Sequence, residues 1–166
     1  MGLQRTEFER LINPVDMVEQ VASFNNWSFS RDCDDEISIL VTGMWTQYQV
    51  AFSWMEDNEA LHLACSFDLK IPAERIDAAT KLLSLINEQM LIGHFDIWQN
   101  EGTVMFRQAL LLNGGVEPTS AQLECQLSSG LEACEQYYQA FQLVVWAGYS
   151  AKEAIESALF ETEGNA

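Results

Sequence analysis

The stretch NEQMLIGHFDIWQNEGTVMFRQALLL, residues 87–112, contains a helix end followed by a β-hairpin. Before it, from Ala73 to Met90, Ile76, Ala79, Leu82, Leu83 and Ile86 recur at steps of three and four, the period of a helix with one buried face. Gly93 ends that pattern. From His94 the apolar residues alternate, with Phe95 and Ile97 before a turn and Val104, Phe106, Leu110 and Leu112 after it, as in a strand with one side covered. Asn100, Glu101 and Gly102 supply the turn. For Phe95 and Ile97 to share a face with Phe106 and Val104, the loop must hold two or four residues, because three would turn one strand over.

The same register places His94, Asp96, Trp98 and Arg107 on the opposite face. His94 lies across from Arg107, and Asp96 is diagonal to it, within reach of a long side chain. As an exposed ion pair the group would contribute about 0–1 kcal/mol. As a site, with Glu88 joining from the helix end, it would offer Arg107 to an anionic or amide-bearing ligand. His62, on the polar side of an earlier strand, reads as an exposed sheet residue.

Working outward, Asn13-Pro14 starts a helix, with a capping side chain, a proline at the first helical position and Asp16 in the first turn. Val15, Val18, Val21 and Ala22 give it an apolar side, and Asn25-Asn26 stops it. A short extended piece, Trp27 to Arg31, leads through an acidic turn into three alternating strands. These carry Ile37, Ile39 and Val41; Tyr48, Val50, Phe52 and Trp54; and Leu61, Leu63, Cys65, Phe67 and Leu69. Gly114-Gly115 follows the hairpin. Thr119 or Ser120 then caps a long helix whose apolar positions run Leu123, Leu127, Leu131, Cys134, Tyr138, Phe141 and Val145. Near its end Phe141, Leu143, Val144, Val145 and Trp146 make this helix apolar nearly all round, more than packing on one sheet uses. Phe141, Leu143, Val144 and Trp146 are therefore the expected self-association surface. Gly148 closes the helix, and Ser150 to Glu153 forms a capping box for a last helix to about Phe160.

The expected fold is α+β: a three-stranded antiparallel meander plus a hairpin, packed against helices. With no linker-like composition the chain reads as one domain over residues 1–166, with an N-terminal extension at 1–12 and a C-terminal tail at 161–166.

Eight Lys and Arg against 25 Asp and Glu give a net charge of −17, which repels phosphate backbones and anionic lipid. Neither nucleic acid nor membrane is an expected partner. The start of the chain has no signal-like apolar run and no segment is long enough to span a bilayer, so the expected location is cytoplasmic. A loose myristoylation pattern at Met1, Gly2 and Thr6 is discounted. Cys33, Cys65, Cys125 and Cys134 lack metal-ligand spacing, and no cofactor is expected. Cys125 and Cys134 fall on opposite sides of their helix, and Cys65 reads as a small core residue. GxSxG, HExxH and phosphate-loop motifs are missing, so catalysis is not expected.

Several segments carry a family likeness. They are Leu85 to Glu88, Gly93 to Asp96, Met105 to Arg107 with Ala109 to Leu112, Ala60 to Cys65, Ala140 to Gln142 and Glu161 to Gly164. Through them the chain resembles the YbjN family of bacterial sensory-transduction regulators, and within it the branch common in alphaproteobacteria. That resemblance implies a sandwich like that of type III secretion chaperones, no established catalytic residues, and a protein-binding or regulatory role. Together with the apolar helix end it leads to an expected homodimer with an unidentified protein partner. The alternative is a small-ligand sensor or enzyme built on His94, Asp96 and Arg107.

Overall fold

The computed structural model describes residues 10–163, with side chains as far as Phe160. The Met1, Gly2 and Thr6 pattern lies outside these residues, as do positions 1–9 of the expected extension and Gly164 to Ala166 of the expected tail. The elements run α1 (Pro14–Phe24), β1 (Ser28–Cys33), β2 (Glu36–Thr42), β3 (Gln47–Met55), β4 (Ala60–Lys70), α2 (Ile76–Asn87), β5 (His94–Trp98), β6 (Thr103–Leu111), α3 (Ser120–Val145) and α4 (Ala151–Glu163).

The fold is α+β. All neighbouring strands are antiparallel, in one six-stranded sheet of order β1-β2-β3-β4-β6-β5. The meander has four strands rather than three, because Ser28–Cys33 pairs along β2, with Ser30 opposite Ser38. This strand is mostly exposed, so its sequence carries no buried alternation to read. In the hairpin Phe95 faces Phe106, Ile97 faces Val104 and Trp98 faces Thr103, leaving residues 99–102 as the loop.

Three of the helices, α1, α3 and α4, carry side-chain caps as their sequences require. The Asn13 side chain accepts from the Val15 N–H at 2.9 Å. Thr119 and Gln122 exchange side-chain and backbone bonds at the start of α3, and Ser150 and Glu153 do so at the start of α4. Gly148, at φ +72°, follows the end of α3.

One sheet face is buried under the helices. Tyr48, Val50, Phe52, Leu61, Leu63, Cys65 and Phe106 are all fully enclosed. Over them α3 lies close to the sheet at Gly130, where a Cβ would come within 3.2 Å of Leu63 and 3.4 Å of Phe106. Phe95 stacks edge-on against Phe106 and Tyr137 and tilts onto Phe141 at 5.5 Å between centroids.

That packing corrects the expected self-association surface. Phe141 and Val144 are completely buried and Leu143 is half-buried against the core; of the four, Trp146 alone is exposed. The physical reason is that α2 and α4 both pack on α3 and cover the side of the helix turned away from the sheet. Apart from Trp146, the apolar helix end is covered within the chain.

Candidate functional site

The other sheet face carries no helix among the described residues. Its registers align a row across all six strands: Ser30, Ser38, Ala51, Ala64, Arg107 and His94. Large apolar residues are exposed toward its margins, at Leu40, Met55, Trp98 and Leu111.

Arg107 is clamped from two sides. Its Nη1 donates to Asp96 Oδ2 at 3.1 Å, and its Nε donates to His62 Nε2 at 3.1 Å. The other Asp96 oxygen accepts from the Ile97 N–H at 2.9 Å, so this carboxylate is used on both sides. His62, expected as an exposed sheet residue, is half-buried and belongs to the cluster. It faces Ala109 on β6, one step along from the Ala64–Arg107 pair, which makes it the diagonal neighbour of the guanidinium. Burial first, then the positive charge of Arg107 and the ring of His94, hold His62 below the ordinary imidazole value and favour its neutral form.

His94, Asp96, Trp98 and Arg107 share this face, with His94 directly across from Arg107. Glu88 does not join them. It is exposed at the C-terminal end of α2, and among the described residues no ion pair or hydrogen bond links it to Arg107. The helix end contributes Asn87 instead, whose carboxamide bonds both backbone groups of Phe95.

Beyond the start of β5, His62, Arg107, Gln108 and Ala109 form one side of an open groove of about 530 Å³, and Leu91, Ile92, Gly93 and His94 form the other. Leu91 is 96% exposed and Ile92 55%. Gly93 holds the loop beside the sheet at φ +73°, and a Cβ there would collide with the Phe106 ring. No group of three or more His, Cys, Asp or Glu among the described residues could hold a metal ion. No helix among them is long and apolar enough to cross a membrane.

This architecture, a six-stranded antiparallel sheet with helices on one face and the other face open, places the chain among α+β proteins with known relatives in structure. The crystal structure of "YbjN, a putative transcription regulator from E. coli" matches with a TM-score of 0.55 at 11% identity, over 92% of this chain and 97% of that one. A chain of the crystal structure of the ExsC–ExsE complex matches with a TM-score of 0.55 at 18% identity, over 78% of this chain and 94% of that one. At these identities the likeness concerns the fold. None of the curated proteins matches the chain in sequence. The family model YbjN, described as "Putative bacterial sensory transduction regulator", matches residues 14–143. The chain belongs to the YbjN family.

Proposed function

We propose that this protein is a non-catalytic, cytoplasmic regulator or chaperone-like binder that pairs with itself and presents its open sheet face to a protein partner. The observation that carries the reading is the uncovered face itself, a smooth centre of Ser and Ala with Leu40, Met55, Trp98 and Leu111 exposed toward its margins. Exposed apolar residues on a broad regular surface suit protein recognition, and Trp in particular is enriched where proteins meet. Family membership supports a regulatory role, and the fold likeness to a chain solved within the ExsC–ExsE complex supports binding to another protein. With the end of α3 covered, self-pairing has to use surface other than Phe141 and Val144, and Trp146 remains accessible for it.

The test places a photo-crosslinking residue at Trp98 or Leu111 on the sheet and, for comparison, at Gln20 on α1. Sheet positions are expected to capture one recurring protein in the native host, and Gln20 to miss it. Equal capture from all three positions, or background alone, would sink the docking face. Light scattering that finds only monomer at micromolar concentration would remove the pairing, and turnover of any substrate by purified protein would overturn the non-catalytic reading.

A further inference from the structure

We propose that the groove between the Leu91–Ile92 loop and the His62–Arg107 cluster binds a small amphipathic organic anion, a monocarboxylate bearing a short apolar chain. Three features of the structure carry this.

First, the groove gathers hydrogen-bond donors. Arg107 spends Nε on His62 and Nη1 on Asp96, which fixes the plane of the guanidinium and leaves Nη2 without a bonded partner among the described residues. Because His62 Nε2 accepts from Arg107, its hydrogen sits on Nδ1, a second donor. His94, opposite Arg107, is the third polar group on the groove.

Second, the local electrostatics run against those of the whole molecule. The chain has 25 acidic residues and only two histidines, yet both histidines and an arginine line this one groove, and among the described residues no acidic one does. The adjacent carboxylate, Asp96, is already satisfied by Arg107 and by the Ile97 N–H. Burial is the main cause of the depressed basicity of His62, and the charges of Arg107 and His94 add to it.

Third, the opposite wall is apolar. Leu91 and Ile92 stand exposed beside the donors, on the loop that Gly93 turns into β5. A volume of about 530 Å³ suits a ligand of a few to a dozen heavy atoms, with its charged end at Arg107 and its chain along Leu91 and Ile92. Such binding requires no docked protein and goes beyond the protein-binding role.

The test is titration of the ¹⁵N-labelled protein with hexanoate, acetate, inorganic phosphate and hexylammonium, read by amide chemical shifts and calorimetry. Hexanoate is expected to saturate with a Kd on the order of millimolar, moving the amides of Gly93, His94, Arg107 and Ala109. Acetate is expected to bind about tenfold or more weakly, for lack of buried methylenes. Arg107→Gln should abolish the saturation. Should that variant unfold, the surface double variant Leu91→Ser, Ile92→Ser tests the same idea by erasing the advantage of hexanoate over acetate. Absence of saturable hexanoate shifts, undiminished binding by folded Arg107→Gln, equal binding of hexylammonium, or tighter binding of phosphate than hexanoate would each overturn the proposal.

Discussion

Asn87 closes the outer edge of β5 through Phe95. Its Oδ1 accepts from the Phe95 N–H at 2.8 Å and its Nδ2 donates to the Phe95 C=O at 3.0 Å, the two bonds a neighbouring strand would make. The next outward N–H, that of Ile97, is taken by Asp96 Oδ1. A helix end and one acidic side chain thus protect a sheet edge that would otherwise be open to pairing.

Replacing Asn87 by Ala removes both bonds and leaves the Phe95 groups unpaired. The expected cost is about 1–3 kcal/mol in urea unfolding, accompanied by a greater tendency to aggregate. Asn87→Asp keeps the acceptor and loses the donor, so it should fall between wild type and Ala. If Asn87→Ala unfolds at the wild-type midpoint, the clamp contributes nothing.

Gly93→Ala is expected to destabilise by about 1–3 kcal/mol or more, since a left-handed backbone and a collision with the buried Phe106 ring act together. Thermal unfolding checks this. A shift no larger than that of an exposed Ser→Ala change elsewhere would contradict it.

Stability should fall as the solution is acidified through the histidine range. His62 is held below its ordinary value of 6.5, so under about pH 6.5 the unfolded chain takes up a proton that the folded one resists. The contribution is complete above the unfolded value and is lost as pH drops toward the folded one. Urea midpoints at pH 7.5 and 5.5 compared with those of His62→Gln measure it, and the variant should show a smaller decline.

The four cysteines should divide cleanly in a thiol-reactivity assay. Cys33 and Cys125 are exposed, whereas Cys65 and Cys134 are buried with their sulfurs 3.5 Å apart. The hydrogen bond to Cys65, with burial added, pushes the Cys134 thiol well above its usual range, which makes it a poor nucleophile. Folded protein should therefore react rapidly at Cys33 and Cys125 alone, and denatured protein at all four; fast labelling of Cys134 in folded protein would refute this.

Elements with buried alternation were legible in the sequence, because each strand from Ile37 onward has its own inward face and the pairing of Phe95 with Phe106 follows from it. β1 was harder: an edge strand of exposed Ser, Arg and Asp leaves no such pattern. His94, Asp96 and Arg107 could be grouped because a single hairpin joins them. His62 could not, since its place beside Arg107 depends on β4 pairing with β6 across α2, a relationship that no local spacing encodes. The burial of Phe141 and Val144 is invisible to local spacing for a similar reason. Whether a helix is covered depends on how α2 and the short α4, with its small Ala151, Ala154 and Ala158, settle against it.

The two borders of the sheet differ. At β5 the outward amides of Phe95 and Ile97 are taken, while at β1 the only side-chain bond to the strand backbone among the described residues is from Arg31 to the Cys33 carbonyl. Two copies meeting border to border at β1 would turn outward the margins at which the Phe95 and Ile97 amides are already taken, which disfavours further growth by strand addition into filaments.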